Sequence, residues 1–160
     1  MTNDRTHSAR RTIRAEPRAL YNAFVRPDAL AQWMPPKGAV GRVDVLEPRD
    51  GGRLRMVLTF DEAVGKTTSN TDVVEARFVR LHPDAEIVLA VDFAADDPAF
   101  AGTMTMTWSF SPTADGAEVS VVAENVPVGI SRDDHEQAMQ STVANLAEFV
   151  ERTPPRTAGG

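Results

Sequence analysis

Cysteine is absent from the 160 residues, which excludes disulfides, thiolate nucleophiles, zinc-thiolate sites and iron–sulfur clusters. Lysine occurs only at Lys37 and Lys66, tyrosine only at Tyr21, and 23 acidic residues against 17 basic ones leave a net charge of -6. A nucleic-acid binder concentrates basic side chains on one face, so an acidic chain of this composition argues against nucleic acid as a partner. No stretch approaches the roughly 18 apolar residues of a membrane span. The opening residues, Met1-Thr2-Asn3-Asp4-Arg5-Thr6-His7, carry charge and no apolar leader segment. The expectation is a cytoplasmic chain with no membrane span, large enough to fold around its own core without a cofactor.

What is present is organised for one domain. Residues 1–6 and 153–160 are polar or rich in Pro and Gly, predicting flexible ends around a single domain over 7–152. After a strand near Ser8–Arg14, Pro17 suits the first turn of a helix with Leu20, Tyr21 and Phe24 on one face. Pro27 restarts a second short helix that carries Leu30, Trp33 and Met34 inward until Pro35-Pro36 ends it. From Gly41 to Glu124 the period becomes two. Turn signals at Pro48–Gly52, His82-Pro83-Asp84, Asp96-Asp97-Pro98 and Asp115-Gly116 divide that stretch into a six-strand antiparallel meander. Its clearest member, Thr103-Met104-Thr105-Met106-Thr107-Trp108-Ser109-Phe110, alternates large apolar with small hydroxylated residues, so one face is buried and the other wet. Ser131 and Asp134 form the capping-box pattern of a last helix, in which Met139, Thr142, Val143, Leu146, Phe149 and Val150 recur at three- and four-residue steps before Pro154. About 20 residues of helix span ~30 Å, enough to cross a sheet. The fold class is α+β.

That element order resembles the helix-grip fold of the START/SRPBCC superfamily, which includes the birch-pollen-allergen-like proteins: a curved antiparallel sheet wrapped around a long C-terminal helix. Ala15-Glu16-Pro17, Tyr21-Asn22-Ala23-Phe24, Pro27-Asp28-Ala29-Leu30-Ala31-Gln32-Trp33-Met34-Pro35-Pro36 and Pro48-Arg49-Asp50-Gly51-Gly52 resemble the branch of heat-shock-protein ATPase activator homologues. The likeness runs from about Arg11 to Glu151. It implies a fold and a pocket rather than one activity, since the branch also holds a self-sacrificing antibiotic-resistance protein. Where this branch often carries a Gly-Trp pair in its final helix, Ser141 and Thr142 stand here. Co-chaperones of the branch contact the chaperone through a separate N-terminal domain, for which 160 residues leave no room, so chaperone activation is not the expectation here.

A sheet gripped by a helix leaves a wedge suited to a hydrophobic small molecule. Met56, Met104, Met106 and Trp108 supply deformable and aromatic lining from the strands; core packing is the more usual role for any one of them, so the cluster says more than its members. The resemblance places Trp33 near the pocket mouth, although an anchoring core tryptophan explains it as well. Met139, Thr142, Asn145 and Leu146 lie on or beside the apolar face of the last helix, where a polar group needs a partner. Gly51-Gly52 reads as turn geometry. No catalytic set converges: His7 sits near a fraying end, His82 in a turn and His135 in a charged first helical turn, all expected in solvent, and no spacing supports a metal. Asp44, Glu47, Asp61, Glu62, Glu75, Asp92 and Glu124 are expected mostly at the surface, and Arg53 and Arg55 outside if Met56 is inside. The leading expectation is a non-catalytic receptor for an apolar or aromatic, lipid- or polyketide-like molecule. A cyclase- or hydrolase-type enzyme and a stress-response interaction module are the alternatives, and the oligomeric state, a homodimer included, stays open.

Overall fold

The computed structural model describes residues 5–35, 38–60, 71–93 and 102–152. Its elements are β1 (His7–Ile13), α1 (Pro17–Val25), α2 (Pro27–Trp33), β2 (Ala39–Leu46), β3 (Arg53–Phe60), β4 (Thr71–His82), β5 (Glu86–Phe93), β6 (Gly102–Thr113), β7 (Gly116–Glu124) and α3 (Arg132–Arg152). The fold is α+β, a seven-stranded antiparallel sheet in the order β1-β7-β6-β5-β4-β3-β2 with the helices on one face. Strands β2 to β7 are the expected meander, and β1 pairs with the last strand of it, His7 opposite Ala123 and Ile13 opposite Ala117. The expected turn at Asp96-Asp97-Pro98 and the tail 153–160 lie outside the described residues.

Proline sets the helix boundaries. Pro17 and Pro27 each open a helix, where the missing N–H leaves no hydrogen bond unmade. Arg26, which precedes Pro27, is held at φ -116° and ψ 122° because the ring behind it excludes helical geometry, so one residue ends α1 and starts α2. At α3 the Ser131 hydroxyl accepts the Asp134 N–H at 3.4 Å, and Asp133 and Asp134 lie at the positive end of the helix.

Alternation sorts the sheet. Met104, Trp108 and Phe110 of β6 and Ala117, Val119, Val121 and Ala123 of β7 are buried on the helix-facing side. The opposite face is less wet than the pattern implies, since Val88 and Ala90 are buried there, paired with Thr107 and Thr105 on one side and with Arg80 and Arg77 on the other. Long arginine stems cover apolar surface while their charged ends stay in water.

Helix α3 runs alongside β1 rather than across the whole sheet. Glu136 accepts the Ser8 N–H and Glu151 the Arg14 N–H, each at 2.9 Å. Fifteen helical residues rise ~22 Å and six strand residues ~20 Å, so the two elements keep pace. The glutamates thereby occupy donors that a bare sheet edge would offer to another chain. Arg5, placed with the flexible end by composition, is instead tied down. Its guanidinium donates to the Val126, Pro127 and Ile130 carbonyls at 2.9, 2.6 and 2.5 Å.

Gly51 and Gly52 are structural, for different reasons. Gly51 has φ +82° with open space around it. Gly52 accepts the Phe78 N–H at 2.8 Å, and a methyl group there would collide with the Glu47 carbonyl. Gly52→Ala is expected to lower the unfolding free energy by more than about 2 kcal/mol and Gly51→Ala by about 1 kcal/mol. Urea denaturation of both variants checks this, and equal losses would contradict the steric assignment.

Candidate functional site

An aromatic wedge closes one side of the space between helices and sheet. Phe24 of α1 meets Trp33 of α2 and Trp108 of β6 edge-on, with ring centroids at 4.8 and 4.9 Å, and approaches Phe110 at 5.7 Å. Each such pair contributes on the order of 1 kcal/mol beyond its buried area. The Trp33 indole Nε1–H donates to the buried Ala23 carbonyl at 2.9 Å, which locks α2 onto the end of α1. Trp33 is thus a core anchor at 1% exposure. Met104, Trp108, Met139 and Leu146 belong to the same buried cluster, as do Val143 and Ala147 on the inner stripe of α3.

Met56 is fully buried elsewhere on the concave face. A methyl group on Gly41 would lie 2.5 Å from Pro35 Cγ and 3.1 Å from the Met56 sulfur, so both side chains close on the space beside Gly41. Met106 differs from its neighbours. It points to the helix side between buried Met104 and Trp108, and it pairs with buried Leu89 and Ala123, yet it is only half-buried. Val91, Ala76, Val74 and Val43 are likewise half-buried on that face. The register joins them, with Val91 opposite both Ala76 and Met104, and Met56 opposite both Val74 and Val43. Partly open apolar side chains therefore recur on β2, β4, β5 and β6 of this face, interleaved with fully covered ones such as Met56 and Met104.

The polar candidates on α3 have modest roles. Thr142 returns its hydroxyl to the Ala138 carbonyl at 3.0 Å, an i to i−4 bond within its own helix. Asn145, half-buried, donates Nδ2 to the Pro35 carbonyl at 3.4 Å and so links α3 to the end of α2. Tyr21 is half-buried, and burial, with Asp84 and Asp50 nearby, raises its phenol pKa, the wrong direction for a base at neutral pH. Asp44 pairs with Arg42 at 2.8 Å and Glu75 with Arg55 at 2.6 Å on the outer face, while Asp92 accepts the Thr103 hydroxyl at 2.6 Å. Asp61 and Glu62 lie outside the described residues.

Solvent exposure, expected for all three histidines, holds for His82 alone. His7 is completely buried and its Nδ1 lies 2.8 Å from Nδ1 of half-buried His135. A signal was present: His7, Ala9 and Ile13 share the inward register of β1, so a strand reading extended by one residue would have turned His7 inside. Among the described residues no three His, Asp or Glu groups converge on a metal site. No helix among them is long and apolar enough to cross a membrane.

The profile of the activator of Hsp90 ATPase homolog 1-like proteins matches residues 14–151, from the end of β1 nearly to the end of α3. The chain belongs to this family. A crystal structure from Chromobacterium violaceum is 30% identical, with a TM-score of 0.80, covering 92% of this chain and 97% of that one. One from Mesorhizobium loti, at 19% identity, covers 94% and 99% with a TM-score of 0.73. The AHSA1-like protein of Aeromonas hydrophila, at 16% identity and a TM-score of 0.73, covers 92% of each. No curated protein matches the sequence. The AHSA1-like fold thus agrees with the helix-grip resemblance and brings a shared scaffold without a ligand.

Trp33→Phe should destabilise the protein by about 2 kcal/mol or more, because it strands the Ala23 carbonyl and leaves part of the indole volume empty. Thr142→Val should change stability by less than about 0.5 kcal/mol. Parallel denaturant titrations measure both, and a neutral Trp33→Phe would remove the anchor role.

Proposed function

We propose that this AHSA1-like chain is a cytoplasmic receptor for an apolar or aromatic small molecule, lipid- or polyketide-like, seated on the concave face beside the aromatic wedge. The incomplete burial of Met106 carries this reading. An interior strand roofed by helices ordinarily buries its inward side chains, and here Met106 stays partly open, as do Val91, Ala76, Val74 and Val43 on the same face. Methionine adapts its shape to a guest at little energetic cost. Asn145, half-buried on α3 and bonded to the Pro35 carbonyl, is the polar side chain best placed to orient one end of the guest.

Acid–base catalysis is less well supported. These partly open side chains are apolar, and the phenol of Tyr21 is shifted away from basic function. A protein-interaction role draws no support from the large exposed apolar side chains among the described residues, Val40, Val79 and Val128, which sit on β2, on β4 and after β7 rather than in one run of the fold.

The test is equilibrium binding of a panel of fluorescent apolar probes and aromatic polyketides to the full chain. Saturable one-to-one binding is expected, with Val91→Trp weakening it by about tenfold or more, a loss of ~1.4 kcal/mol. Absence of saturable binding across the panel, or indifference to Val91→Trp, would defeat the proposal.

A further inference from the structure

The start of β1 and the first turn of α3 meet through two imidazoles. Their Nδ1 atoms stand 2.8 Å apart, with ring centroids at 5.0 Å and planes inclined by 65°. At that separation one proton lies between the two nitrogens, so one ring donates and the other accepts. His7 Nε2 is buried with no hydrogen-bond partner among the described residues. A buried N–H without an acceptor is rarer than a buried lone pair without a donor, which makes His7 the ring protonated on Nδ1. His135 then accepts at Nδ1 and carries its own proton on Nε2.

This arrangement has no place for another proton. Protonating His7 puts an N–H on its enclosed Nε2. Protonating His135 at Nδ1 either points two N–H groups at each other or drives the His7 proton to that same Nε2. The geometry points to a proton-operated latch, in which the neutral His7–His135 pair holds the N-terminal half of α3 on β1 and acidification releases it.

The surroundings act in the same sense. Arg5, just before β1, is fixed by the Val126, Pro127 and Ile130 carbonyls in the connection leading to α3, and Arg132 is a second cation on α3 itself. Glu136 opposes them, but its carboxylate also accepts the Ser8 N–H and lies 3.8 Å from Arg132. Asp133 and Asp134 of the same turn are exposed, and β7 presents Ala123 opposite His7. Burial is the first cause that holds both imidazoles below the ordinary histidine range. Arg5 and Arg132 reinforce it for His7, and His7 and Arg5 for His135, with Glu136 pulling the other way. The unfolded or undocked chain therefore binds more protons as the pH falls through about 6.5. Docking is strongest above that value and weakens below it.

The test uses the full chain without any small molecule, so its outcome is independent of whether the concave face binds one. Imidazole nitrogen NMR at about pH 7.5 should show His7 protonated on Nδ1 and His135 on Nε2. Amide exchange over residues 132–139, corrected for intrinsic rates, should rise about tenfold or more relative to residues 143–150 on going to about pH 5. In the double variant His7→Gln/His135→Gln, whose amides do not titrate in this range, that dependence should vanish. A flat response in the wild type, or the same response in the variant, overturns the latch. Should the variant fail to fold, the wild-type rings decide: both titrating independently at or above the ordinary histidine value overturns it, and coupled titration below that value upholds it.

Discussion

The contact of Phe24 with both tryptophans is the constraint on which the rest of the molecule depends. It fixes the distance between the short helices and β6, and the indole bond from Trp33 to Ala23 prevents α2 from sliding along α1. Because rigid rings fill the space they occupy, the concave face is divided. Around Trp108 and Phe110 it is sealed, and from Met106 toward β2 partly open side chains alternate with covered ones. A smaller residue at position 24 would let the helices settle and would erase that division, since a packed interior does not tolerate an unfilled gap without loss.

The second organising contact is between the ends of the described chain. Helix α3 keeps pace with β1, and Glu136 and Glu151 occupy backbone donors at either end of that strand. The imidazole pair and the Arg5 guanidinium add a polar clasp where the helix begins, while Met139, Val143 and Leu146 hold the middle by apolar burial. The two kinds of contact respond differently to conditions. Apolar burial is indifferent to pH, whereas the clasp depends on the protonation of two rings, so the helix has a firm middle and a conditional start.

Family membership explains the scaffold and stops there. Relatives from Chromobacterium violaceum and Mesorhizobium loti superimpose over more than nine-tenths of the chain at 30% and 19% identity. A sheet and helix can be conserved in shape while the few partly open side chains of the concave face set what fits against it. Ser141, in one of the two helix positions where the branch often carries Gly-Trp, is exposed, and Thr142 in the other bonds to its own helix. The polar change at these positions is therefore absorbed by α3 and solvent.

The sequence by itself determined the elements and their faces, because those follow from signals a few residues apart. Pro17 and Pro27 start helices, Gly51 takes a left-handed turn, and Met104, Trp108 and Phe110 alternate inward against threonine and serine. The family motif lay within reach for the same reason, as a nearly contiguous run from Ala15 to Pro36. Only the tertiary structure decided which inward residues are sealed and which stay open, since Met104 and Met106 are alike in pattern and differ in what lies above them. It alone brought His7 to His135 across 128 residues of chain. Local periodicity specifies the direction in which a side chain points, but what it meets there depends on elements whose separation along the chain no local pattern encodes.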